Sequence, residues 1–201
     1  MKIRKQFTVE SAHIVRNCTS HRCSHSIHGH SATIELIFEG HKLDNAGMLY
    51  DFGLMKSTIK EFIDSMDHCY ILCSKDNEDF KNFIKDSCDR WIELPFNPSA
   101  ECLAMFIQYW VNHIIGYTRT RNGEGQFKCV GVKYHETATG YAESSLEDLE
   151  NIWEYKWGEY TSYKFSDGVI KDWSKDLRDV LISNLIIDNP IVKQQIELFE
   201  L

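Results

Sequence analysis

Nothing in this chain of 201 residues has the look of a membrane span. No apolar run approaches the ~18 residues that a spanning helix needs. Basic charge is also short: 22 Lys and Arg stand against 30 Asp and Glu, a formal net charge of -8. A general nucleic-acid binder wants a basic face, so that class is set aside. A small anionic substrate is not excluded, because a local Lys or Arg cluster works inside an acidic protein. The opening MKIRKQFTVE has basic residues with no apolar stretch behind them, and is not read as a secretory signal. There is no internal repeat and no low-complexity segment. What the chain does have is an ordinary globular composition, 43% hydrophobic and 26% charged, and a length that suits one domain with an appendage.

Seven cysteines are present: Cys18, Cys23, Cys69, Cys73, Cys88, Cys102 and Cys129. An odd number without a secretion signal reads as reduced thiols in a cytoplasmic protein. Most are expected to be small buried hydrophobes.

Hydrophobic periodicity gives the order of elements. Residues 2–14 read as a strand with Phe7, Val9, Ser11 and His13 on one face, and residues 30–39 as a second with His30, Ala32, Ile34, Leu36 and Phe38 together. A helix capped by Asp51 is predicted from Phe52, Met55, Ile59, Phe62, Ile63 and Met66. The charged stretch 74–90 reads as an inserted loop or a short surface helix. A second helix starts at Asn97 as N-cap with Pro98 in its first turn, and can end at Gly116. Strands follow at about 127–136 and near Thr139–Ala142. The order strand, strand, helix, helix, strand, strand is an α+β domain over residues 1–144. Residues 145–201 are a C-terminal extension rich in Trp, Tyr, Asp and Glu, with helices expected near 172–186 and 190–200. Trp153, Trp157 and Trp173 are expected there as packing residues.

The chemistry concentrates in CSHSIHGH, residues 23–30. His28 and His30 are two apart on an extended segment, so both imidazoles face the same way. His13 ends another predicted strand. If those strands pair, three imidazoles converge, and three neutral histidines leave zinc a fourth position open. Two other readings stand beside this one: an exposed H-G-H turn, and a zinc finger built from Cys18, Cys23, His28 and His30. The finger would need more residues between its histidines than this spacing offers. Asp67-His68 on its own reads as a polar helix end. Glu136 on its own reads as a solvent-facing strand residue, and Glu101 is placed to favour a helix N-terminus.

Six pieces in register resemble the 6-pyruvoyltetrahydropterin synthase and 6-carboxytetrahydropterin synthase family: SAH at 11–13, C…HGH at 23–30, GMLYDF at 47–52, MDH at 66–68, NPSAE at 97–101, and HET with GYA at 135–142. The resemblance covers residues 3–142. It implies a tunnelling fold, a ββααββ unit with an antiparallel sheet, two helices on one face, and strands that join neighbouring subunits in an oligomeric β-barrel. It implies zinc (Zn2+) on His13, His28 and His30, a cysteine base helped by Asp67 and His68, and a pterin held by Glu136. Cys23 is the base on this reading, although it stands five residues before the first histidine of HGH where the bacterial pattern has four; Ser24 takes the usual place, and Cys18 is the fallback. The implied activity is conversion of 7,8-dihydroneopterin triphosphate to 6-carboxy-5,6,7,8-tetrahydropterin, with acetaldehyde and triphosphate, on the route to preQ0, queuosine and other 7-deazaguanines. The alternatives are 6-pyruvoyltetrahydropterin formation with loss of triphosphate, and a non-catalytic zinc-binding scaffold or pterin-binding subunit. The implied partners are the small pterin substrate and further copies of the chain, with a hexamer favoured, and neither nucleic acid nor membrane.

Overall fold

The computed structural model describes residues 1–150 and 163–192. Two long strands open the chain, β1 (Lys2–His13) and β2 (His28–Gly40), with a short helix α1 (His21–His25) between them. They pair antiparallel without a register slip, from Lys2 opposite Glu39 to His13 opposite His28. Alternation then sends Phe7, Val9, Ala32, Ile34, Leu36 and Phe38 to one side, where all are buried. Burying each large apolar side chain there is worth roughly 1.5–3 kcal/mol.

The predicted helix over 52–66 is broken in two. A 3-10 turn at Leu54–Lys56 precedes α2 (Thr58–Asp64), with Ser57 at the junction in a non-helical conformation. Asp51 is therefore not the helix cap: its Oδ1 accepts the Gly53 N–H at 2.6 Å and closes the preceding turn. Met55, Ile59, Phe62, Ile63 and Met66 are nevertheless buried, which is why their spacing read as one helix. β3 (Cys69–Cys73) follows, buried at all five positions. The stretch 74–90 then forms α3 (Glu78–Ser87), capped by Asn77 Oδ1, which accepts from Asp79 N at 2.8 Å. β4 (Trp91–Leu94) lies parallel to β3, and β3 lies parallel to β1. The sheet is thus mixed rather than wholly antiparallel. The physical reason is α3: a helical crossover returns the chain to its starting end, so the next strand runs the same way.

The second long helix, α4 (Ala100–Gly116), begins later than its sequence signals indicate. Ser99 is the cap, accepting from Cys102 N at 3.4 Å. Asn97 is unavailable because its side chain is committed to the backbone of Arg16. β5 (Thr118–Arg119) leads to β6 (Phe127–Thr137), β7 (Gly140–Ser145) and α5 (Leu146–Glu150). Beyond them come β8 (Lys164–Phe165), α6 (Asp167–Ile170), α7 (Lys175–Ser183) and β9 (Ile187–Asp188).

The seven-stranded sheet runs β7-β6-β2-β1-β3-β4-β8, while β5 and β9 form a separate pair. Leu103, Phe106 and Ile107 of α4 pack with α2 on the apolar face of the sheet. The other face of β1 and β2 is polar: Glu35 is nearly covered and accepts from Arg4 at 3.0 Å and Gln6 at 2.8 Å. The extension joins the same core, with Trp173, Leu177 and Val180 buried in it. α7 falls within the helix predicted near 172–186. Of the helix predicted near 190–200, residues 190–192 are not helical and the rest lie outside the described residues, as do Trp153 and Trp157. No helix among the described residues is long and apolar enough to cross a membrane.

Candidate active site

The β1–β2 register decides the site. His13 stands directly opposite His28, and His30 is one same-face step further along β2. The ring centroids of His13 lie 4.7 Å from His28 and 5.2 Å from His30, and the latter two are 5.1 Å apart. The ligand atoms of all three rings lie within 4.8 Å of one another, the one such cluster of three or more metal-binding side chains among the described residues.

The outer nitrogens explain why the rings aim inward. His28 Nδ1 lies 3.0 Å from the Ser26 carbonyl, so Nδ1 carries the proton and Nε2 keeps its lone pair. His13 is hydrogen-bonded to the backbone of Pro98. Proline has no N–H, so the partner is its carbonyl and the imidazole donates. The Nε2 atoms of His13 and His30 are buried without a hydrogen-bond partner among the described residues. Buried polar atoms are seldom left unpaired. Burial first, and then the neighbouring His28 and His30, push His13 down to about 4, against the opposing effect of the Pro98 bond. His13 is thus neutral at physiological pH. Converging imidazoles, with the outer nitrogens of His13 and His28 held by backbone carbonyls, fit a metal ion.

Glu136 joins this cluster from β6. Its Oε1 is 3.4 Å from His13 Nε2 and 3.6 Å from His30 Nε2. Its carboxylate is turned toward His13 and His30 while its side chain stays 29% exposed.

Asp67 and His68 form a second group, in the turn between α2 and β3. Asp67 Oδ2 is 2.7 Å from His68 Nδ1, and Asp67 Oδ1 accepts the Glu10 N–H at 2.7 Å. Burial on its own would raise the Asp67 carboxyl, but the Glu10 N–H, His68 and Arg90 outweigh it and hold the group below the usual carboxylate range. No hydrogen bond or ring contact among the described residues joins this pair to the three histidines. His30 and His68 do line one groove of about 800 Å³, together with Glu10, Ser11 and Arg90. A larger cavity of about 940 Å³ lies by Gly40, Phe127 and the end of α4 and holds none of these groups.

Cys23 lies on α1, which is pinned to the end of β1 by the bond from Val15 N to Cys23 O at 3.0 Å. Its thiol is partly exposed and makes no side-chain hydrogen bond among the described residues. Ser24 is buried instead, its hydroxyl donating to Ser20 O at 2.9 Å, with His25 Nδ1 at 2.8 Å. Cys18 Sγ contacts Ser20 O at 3.2 Å.

Residues 2–147 match the 6-pyruvoyl tetrahydropterin synthase family. The chain belongs to that family. Similarity to one synthase extends past the family match into the extension. A Helicobacter pylori (strain J99) protein named 6-carboxy-5,6,7,8-tetrahydropterin synthase is 39% identical over 185 residues, 92% of each chain. A Bacillus subtilis synthase of the same name is 26% identical over 140 residues, 70% of this chain and 82% of its own. In fold, the chain is similar to an uncharacterized protein from Wolinella succinogenes, with a TM-score of 0.58 and 19% identity over 72% of this chain and 97% of that one.

Several supporting groups of this tetrahydropterin synthase family member were not singled out for the site from sequence. The Pro98 carbonyl and the Asn97 side chain lie in NPSAE, where helix capping was the visible signal. The Ser26 carbonyl left none, because a backbone acceptor leaves no mark on residue type.

Proposed function

We propose that this protein is a zinc-dependent synthase that converts 7,8-dihydroneopterin triphosphate to 6-carboxy-5,6,7,8-tetrahydropterin, releasing acetaldehyde and triphosphate, in the cytoplasmic route to 7-deazaguanines such as queuosine. One observation carries the reading: three converging imidazoles, two with buried Nε2 atoms that make no hydrogen bond among the described residues, in a chain 39% identical to a protein bearing that name.

His13, His28 and His30 would hold zinc, which supplies Lewis acidity that makes a neighbouring substrate C–H easier to deprotonate. Cys23 takes the proton, the role for which a partly exposed thiol on a tethered helix is suited. Asp67 fixes the His68 ring through Nδ1, which suits the pair to assist proton transfer. Glu136 receives the 2-amino and ring N–H donors of the pterin, which its acceptor-only carboxylate matches. Its place beside His13 and His30 would bring the bound pterin next to the residues that would hold the metal.

Residues 1–144 form the synthase unit in this reading, and 145–201 the appended part. The chain works as a closed homo-oligomer, a hexamer of barrel-forming trimers. The polar face of β1 and β2 supports this, because it carries a nearly buried glutamate within one chain and forms no apolar layer of its own.

The test is a product assay. Zinc-loaded protein is incubated with 7,8-dihydroneopterin triphosphate, the pterin is identified by mass, and acetaldehyde is measured. A 6-carboxy product with stoichiometric acetaldehyde supports the proposal. A 6-pyruvoyl product without acetaldehyde replaces it with the alternative synthase, and zinc binding without turnover replaces it with a scaffold.

A further inference from the structure

The extension meets the turn that carries Asp67 and His68 at the Arg90 guanidinium and at the Ser65 hydroxyl. His68 has φ +50°, the left-handed region that side chains with a Cβ disfavour. Such a conformation persists where its surroundings impose it. On one side, His68 N donates to Glu10 O at 2.6 Å. On the other, Arg90 Nε donates to Asp67 O and Arg90 Nη2 to Asp64 O, both at 2.9 Å. The remaining arm, Nη1, donates to Gly168 O at 3.2 Å and to the Asp172 carboxylate. A guanidinium is a rigid planar fork, so fixing one arm fixes the direction of the others.

The segment that supplies those two acceptors is itself closely held. Ser166 N donates to Trp91 O at 3.0 Å, and Ser166 Oγ accepts from Trp91 N at 3.1 Å. Trp173 is buried and donates from Nε1 to Ser65 Oγ at 2.8 Å, inside the chain leading to the same turn. A Cβ on Gly168 would fall 2.1 Å from Asp89 O, so only glycine lets the segment come this close to the residue before Arg90.

We propose that Ser166–Trp173 is a positioning element for the Asp67–His68 pair, acting through Arg90. This rests on the reading that the pair serves proton transfer in the synthase. Asp172 and the Gly168 carbonyl aim the guanidinium, the guanidinium holds the Asp64 and Asp67 carbonyls, and the turn sets where the His68 ring points. The Asp172 side chain is 61% exposed. An ion pair so open to water adds little to global stability, so its loss should register in the chemical step.

The experiment uses zinc-loaded full-length protein and 7,8-dihydroneopterin triphosphate. Asp172→Ala is expected to lower kcat by about 10- to 100-fold, the scale of a misplaced catalytic group. KM, zinc content and melting temperature should stay at wild-type values. Asp172→Asn, which keeps an acceptor oxygen, should recover most of the rate. In a His68→Ala background, Asp172→Ala should cost nothing further, because both changes act through one ring. Wild-type kcat in Asp172→Ala beside an inactive His68→Ala overturns the positioning role, and so does full additivity in the double variant. Full turnover in His68→Ala overturns the catalytic reading of the pair instead, and with it this inference.

Discussion

His13 and His28 are direct partners across the β1–β2 ladder, and their imidazole centroids stand 4.7 Å apart. A backbone ladder therefore sets the spacing of the pair, while the Pro98 and Ser26 carbonyls set which nitrogen points inward. One zinc per chain is expected, with His30→Ala weakening it sharply. Metal analysis of folded protein supplied with zinc checks this; a wild-type protein that stays metal-free removes the site.

Acid should unfold the metal-free protein through His13. In an unfolded chain histidine takes up its proton near pH 6.5, whereas the folded site holds His13 down at about 4. Between those values the unfolded state binds the extra proton, so lowering pH favours unfolding. This contribution, on the order of 3 kcal/mol, is complete above about pH 6.5, is eroded as pH falls towards about 4, and is flat below. Urea titrations at pH 7 and pH 4.5 should show a smaller pH difference in His13→Asn than in wild type. Equal differences would remove the argument.

Cys23→Ala should keep zinc and lose ~100- to 10,000-fold in rate, the usual range for a general base. Cys23→Ser should not rescue it, because a hydroxyl ionises far less readily. Cys18→Ala should be nearly silent. Ser24→Ala should be mild, since its hydroxyl is spent within α1. Zinc content and rate are read on the same samples. Loss of zinc from Cys23→Ala would make the thiol a fourth ligand and the site a closed one.

Asn97 clamps the exit of β1 at both backbone groups of Arg16, accepting its N–H at 2.9 Å and donating to its carbonyl. Asn97→Ala strands these half-buried groups and should cost about 1–3 kcal/mol of stability. It should also weaken zinc binding, because the next residue supplies the His13 partner. Denaturation and zinc competition measured together test both; wild-type zinc affinity in a destabilised variant would separate the clamp from the metal site.

A sheet whose outer strands are β7 and β8 leaves edges that need partners or protection. A closed homo-oligomer is expected in solution. Light scattering that gives the mass of a single chain at micromolar concentration would count against the barrel.

Much of this protein is written in local pattern. Alternation along 2–14 and 30–39 determined the first two strands and put His13, His28 and His30 on faces that could meet, because side-chain direction in a strand follows from sequence parity alone. Helical spacing likewise determined α4 and the buried residues of α2. The sequence left open what depends on residues far apart. β3 and β4 escaped notice because a short strand buried on both faces has no alternation to read. The start of α4 moved to Ser99 because Asn97 found Arg16, 81 positions away, as its partner. The convergence of the histidines needed the β1–β2 register, and the meeting of Arg90 with both the Asp67 turn and Asp172 needed the extension folded back beside it. Spacing in a chain specifies direction, but contact between distant segments is set by packing, and only the tertiary structure contains that.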